Sequence, residues 1–62
     1  MKISTTIKKE VIEAYEAAGF TQTNDGVLKM DEIQINVYDN YVSNAEGNEI
    51  SYDEAVVDAG EF

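Results

Sequence analysis

The chain has no cysteine and no histidine. Lack of cysteine excludes a disulfide framework and thiolate metal sites, and lack of histidine removes the commonest metal ligand and general base. Small secreted domains usually carry disulfide staples, so the composition predicts a reducing compartment and a cytoplasmic location. Long apolar runs are also missing: Met1 to Thr6 lacks the hydrophobic stretch of a signal peptide, and no window approaches the length of a membrane span. The glycines Gly19, Gly26, Gly47 and Gly60 stand apart, each in or after a predicted turn. They form no phosphate-binding loop, and backbone geometry accounts for them.

The scarcest feature is positive charge. Lys2, Lys8, Lys9 and Lys29 are the only cations, and in the first thirty residues they cancel Glu10, Glu13, Glu16 and Asp25. From residue 31 onward every ionised side chain is negative: Asp31, Glu32, Asp39, Glu46, Glu49, Asp53, Glu54, Asp58 and Glu61. The whole formal charge of −9 therefore lies in the second half of 62 residues. Such a field repels nucleic acids and anionic membranes and favours basic surfaces, of which those that hold DNA or RNA are the commonest. The plain alternative is that the acidity only keeps a small domain soluble.

A chain this short forms one domain, residues 1–62, and buries only roughly 60% of the surface its unfolded form exposes. Apolar residues at Ile7, Val11, Tyr15 and Ala18, broadened by Ile12 and Ala14, predict an amphipathic helix. Its N-cap candidates are Ser4, Thr5 and Thr6, and Gly19 suits the residue just past its end. Phe20 to Thr23 and Val27 to Met30 flank Asn24-Asp25-Gly26, a strong hairpin signal. Ile33, Ile35 and Val37 alternate with Gln34, Asn36 and Tyr38, as a strand with one wet face does. The next turn falls either at Asp39-Asn40 or at Glu46-Gly47-Asn48, and the sequence does not separate the two. Ser51-Tyr52-Asp53-Glu54 matches a capping box, predicting a helix to about Ala59 with Ala55, Val56 and Ala59 inward and Gly60 as terminator. The expected fold is α+β: an N-terminal helix on a three- or four-stranded antiparallel sheet, then a short C-terminal helix.

No catalytic constellation emerges. Paired carboxylates alone can run glycosidase-type chemistry, but a single thin layer offers little room for the cleft it needs, so no enzymatic activity and no cofactor are expected. The oxygen-rich run from Asp39 to Gly47 fails the calcium-loop pattern: counted from Asp39, Tyr41 is third, Asn44 sixth and Ile50 twelfth. A weak divalent-cation site involving Asp39 and Glu46 remains a third reading beside the two for the acidity.

Glu54, Asp58 and Glu61 share one helix face, and Asp58 and Glu61 lie at the end where the dipole prefers cations. Local structure gains nothing from them, which leaves two explanations of equal weight: a basic partner, or a chain end that frays and tolerates such placement cheaply. Reversing Asp58 and Glu61 to Lys is expected to weaken partner binding and to leave the fold intact or slightly more stable. Carboxylates two apart on a strand, about 6.6 Å, or one helical turn apart, about 5 to 6 Å, match the order of phosphate spacing. Tyr38 and Tyr41 beside Asp39 are read either as an ordinary cross-strand packing pair or as partner-facing anchors, given tyrosine's enrichment at interface hot spots.

In size, acidity, absence of Cys and His and lack of enzymatic motifs, the chain resembles the small inhibitors that bacteriophages and mobile elements encode, including anti-restriction and anti-CRISPR proteins. Some of those inhibitors act as DNA mimics, so the resemblance implies an inhibitor working in a host cytoplasm on a basic, nucleic-acid-binding protein surface; the charge of −9 predicts no direct contact with nucleic acid or membrane. The predicted contact set is Asp31, Glu32, Tyr38, Asp39, Tyr41, Glu46, Glu49, Asp53, Glu54, Asp58 and Glu61. The alternative is a small structural subunit or homodimer working through a sheet face or edge, its acidity only solubilising.

Overall fold

A computed structural model describes residues 6–62 of the chain. Helix α1 (Lys8–Ala17) leads into strands β1 (Thr21–Asn24), β2 (Val27–Met30), β3 (Ile33–Val37), β4 (Val42–Ser43) and β5 (Glu49–Ile50), and helix α2 (Tyr52–Gly60) closes the chain. The α+β order is the expected one, and the sheet is an antiparallel meander, β1-β2-β3-β4-β5. It has five strands rather than three or four because both competing turns form. The Tyr38 N–H donates to the Tyr41 carbonyl (2.9 Å) across Asp39-Asn40, and the Asn44 N–H donates to the Asn48 carbonyl (3.0 Å) around Gly47.

Register puts Leu28 opposite Ile35, Val37 opposite Val42, and Val42 opposite Ile50. With a side-chain period of two, these residues share one face of the sheet. Val11 and Tyr15 of α1 and Ala55 and Ala59 of α2 meet them there, so the two helices lie together on that face and form a two-layer domain. Leu28, Ile35 and Val42 are fully buried, each worth roughly 1.5–3 kcal/mol relative to an exposed side chain. The opposite face carries Lys29, Gln34, Asn36 and Ser43 and stays open to water.

Several local expectations change. Ile7, not Thr6, is the N-cap of α1, with extended backbone and no side-chain cap; Ser4 and Thr5, the other two candidates, lie outside the described residues. The Thr6 hydroxyl instead donates to Asp53 Oδ1 (2.6 Å), linking the start of α1 to the start of α2. Gly19 follows the α1 C-cap at φ 115°, the left-handed geometry expected of it. At the other helix the Glu54 N–H donates to Ser51 Oγ (3.2 Å), as a capping box requires. Gly60 does not terminate α2, which runs through it to a C-cap at Glu61, and Val56 faces outward while Ala55 and Ala59 face the core.

The turn between β1 and β2 depends on Gly26. Its φ of 78° is left-handed, and a Cβ there would lie 2.6 Å from the Val37 carbonyl oxygen. The same glycine's carbonyl accepts from the Val37 N–H (2.7 Å), extending the β2–β3 pairing to the turn. Gly26→Ala is therefore expected to cost about 1–3 kcal/mol through strain and a lost close approach. Gly60→Ala, in a helical position with open space around it, should gain up to about 1 kcal/mol. Urea unfolding of the two variants against the parent checks both signs.

Candidate interaction surface

The serine cap fixes where α2 begins, and its helical period then sets Glu54, Val57, Asp58 and Glu61 along one flank. This flank and the β4–β5 connection enclose an open groove of about 430 Å³ lined by Asn44, Ile50, Asp53, Glu54, Val57, Asp58 and Glu61. Its apolar part is Ile50 and Val57, and Val57 is 65% exposed. An aliphatic side chain that the core leaves in water, rimmed by carboxylates, suits a partner segment carrying basic groups around an apolar contact. Asn44 and Val57 had no signal in the sequence reading, because neither is charged and the groove needs two elements distant along the chain.

Asp58 has a second role that corrects the expected indifference of the fold to it. The Tyr15 hydroxyl donates to Asp58 Oδ2 at 2.7 Å, joining the last turn of α1 to the last turn of α2. Tyr15 is fully buried, and its ring meets Phe20 (centroids 5.4 Å) and Phe62 (6.4 Å) edge-on, with Phe20 and Phe62 themselves 5.0 Å apart. The phenol therefore needs an acceptor at the edge of an apolar cluster, and Asp58 supplies it. Burial, then the hydrogen bond and charge of Asp58, push the Tyr15 phenol well above its ordinary value of about 10.

Tyr38 and Tyr41 stand at the two ends of the β3–β4 turn and stack with centroids 4.8 Å apart and planes 25° apart. Tyr38 is 43% exposed, whereas Tyr41 is half-buried. The Tyr52 hydroxyl donates to the Tyr38 carbonyl, which hooks this turn to the start of α2. Burial, then the charge of Asp39, raises the Tyr52 phenol above its ordinary value. Asp39 and the tyrosine pair thus sit at the same end of the domain as the α2 N-terminus.

The remaining acids are not gathered with these. In an antiparallel meander successive turns alternate ends, so Asp31-Glu32, between β2 and β3, lies at the end opposite Asp39. Asp31 has φ 54°, a conformation aspartate tolerates better than most side chains, which gives it a turn role. Glu46 and Glu49 belong to the β4–β5 hairpin. Within it, Asn44 Oδ1 accepts from the Glu46 and Asn48 N–H groups (3.0 and 2.9 Å), so that oxygen of the loop closes the turn. Among the described residues no group of three or more acids is arranged to hold a metal ion. The eleven predicted contact residues therefore divide into the α2 flank, the tyrosine turn, the β4–β5 hairpin and the far β2–β3 turn.

Two consequences separate the acids by role. Asp58→Lys should destabilise the domain by about 1–3 kcal/mol, since it leaves the Tyr15 hydroxyl without its acceptor, while Glu61→Lys should be neutral or slightly stabilising. Chemical denaturation of the single variants distinguishes them. The raised Tyr15 value also predicts alkaline weakening. Below pH of about 10 both folded and unfolded tyrosine keep the proton and the contribution is complete; above it the unfolded chain ionises first, so stability falls as pH rises. Melting temperatures measured from pH 8 to 11 should drop less steeply in Tyr15→Phe than in the parent.

Comparison with family models, with curated proteins and with solved structures finds no match for this chain.

Proposed function

We propose that this protein is a non-enzymatic acidic interaction protein, an inhibitor that blocks a basic nucleic-acid-binding surface of a host protein or complex in the manner of anti-CRISPR or anti-restriction proteins. The observation that carries this reading is the α2 groove. Glu54 and Glu61 flank an exposed Val57 on a surface where the fold does not need an apolar residue. Competition would be steric and electrostatic: carboxylates occupy lysine and arginine side chains that otherwise hold phosphates, and the −9 field repels the displaced nucleic acid. Association steered by opposite charge is fast and falls as salt rises. Asp58 contributes charge to the groove but is held by Tyr15, so Glu54, Val57 and Glu61 are the positions to test.

A second reading is favoured by β1, whose Thr21, Gln22, Thr23 and Asn24 are exposed and uncharged on a sheet edge. Edge strands of that kind pair with other chains, giving a subunit or homodimer. The irregularity between Gln22 and Asn24 disrupts that edge and weighs against it.

Capture from nuclease-treated lysate with tagged protein tests the choice. A nucleic-acid-binding protein that elutes as salt rises, and is lost with Glu54→Lys/Glu61→Lys, is the expected outcome. Each charge reversal should weaken binding by about 1 kcal/mol or more if the contact is desolvated. Recovery of the chain alone, or of partners indifferent to salt and to that double variant, would sink the inhibitor reading.

A further inference from the structure

Beside the tyrosine turn, on the water-facing side of the sheet, lies a cavity of about 380 Å³ whose walls include Lys8, Asp25, Gln34, Asn36, Tyr38 and Asp39. It shares no lining residue with the α2 groove. Its polar groups are ordered into a chain: Gln34 Nε2 donates to Asn36 Oδ1 (3.0 Å), and Asn36 Nδ2 donates to the Tyr38 hydroxyl (3.4 Å). Each amide thereby directs one of its two N–H groups along the strand, and the Gln34 carbonyl oxygen and the second lone pair of Asn36 Oδ1 remain as acceptors. Asp25 and Asp39 add carboxylates to the rim. The Tyr38 ring is stacked on Tyr41 by one face and is 43% exposed, so its other face is available to a flat cation.

A planar aromatic face, amide oxygens and carboxylates together are complementary to a guanidinium, which stacks flat and offers five N–H donors, and less so to an ammonium, a compact point charge. We infer that this cavity seats the guanidinium of an arginine side chain from the basic partner. The inference rests on the proposed docking function and adds a named side chain to it. The cavity also contains its own opponent. Lys8 lines it and is held at 3.9 Å from Asp25, so its ammonium competes for the same acceptors. Asp25 belongs to the electrically neutral half of the chain, which is why charge counting along the sequence passes over it.

The test uses the whole protein and a small probe, N-acetyl-arginine methylamide, followed by amide chemical shifts. Saturable shifts at Gln34, Asn36, Tyr38 and Asp39 are expected. The equivalent lysine compound should bind about two- to fivefold more weakly, because it loses the flat stacking contact. Tyr38→Leu should weaken the arginine probe by a similar factor, and Asp39→Asn should also weaken it. Lys8→Met should strengthen it. Both site variants leave the Tyr38 carbonyl, and hence the Tyr52 hook, in place, and a dispersed spectrum verifies the fold. Equal response to the two probes, shifts confined to the α2 flank, or indifference to Tyr38→Leu and Asp39→Asn would overturn the assignment. Free arginine separates the two sources of the group. Binding as tight as that of the capped probe would point to a metabolite rather than a protein side chain and would overturn it as well. A positive titration without any captured partner would remove the inhibitor reading and keep the cavity; a captured partner with no response from the probe would do the reverse.

Discussion

The hydrogen bond from Tyr15 to Asp58 is the contact on which the helical layer depends. A domain of this size has few ways to hold two short helices on one sheet face, and alanines at 55 and 59 let α2 approach closely but contribute little apolar area. Tyr15 supplies bulk to the core and, through its hydroxyl, a directional link to the second helix. Its ring, with Phe20 and Phe62, forms an aromatic cluster at the edge of the core, which ties the end of α1, the entry to β1 and the chain beyond α2 to a common centre.

A second set of links operates at the opposite end. Thr6 to Asp53 joins the helix starts, Tyr52 to the Tyr38 carbonyl joins α2 to the β3–β4 turn, and Lys8 to Asp25 joins α1 to the β1–β2 turn. Each uses a polar side chain near solvent, where the individual contribution is small. Their combined effect is positional: they place Asp39, the tyrosine stack and the start of the acidic helix side by side. Acids with stabilising partners, Asp53 and Asp58, are therefore interleaved on α2 with Glu54 and Glu61, which line the groove. Negative charge in this protein is thus partly engaged in the packing of the helices and partly displayed on the surface.

Period-two and helical patterns, the Asp-Gly turn and the serine capping box reveal α1, β1 to β3 and α2 directly in the amino-acid sequence, since each is a local preference of a few neighbouring residues. The asymmetry of charge and the absence of catalytic residue types are likewise properties of the chain itself. What required the fold were contacts between residues far apart along it. Both turns around β4 form because pairing with β3 and β5 rewards strands too short to be recognised alone. Asp58 acquires a structural partner 43 positions away. Val57 becomes an exposed groove residue, and the linear run of nine acids is distributed over both ends of the sheet by the alternation of its turns. Local propensity and net charge were determined by the sequence alone; which charges stand together, and which serve the core, was decided by tertiary packing, because distance in space between side chains is set only when the sheet register and helix contacts are complete.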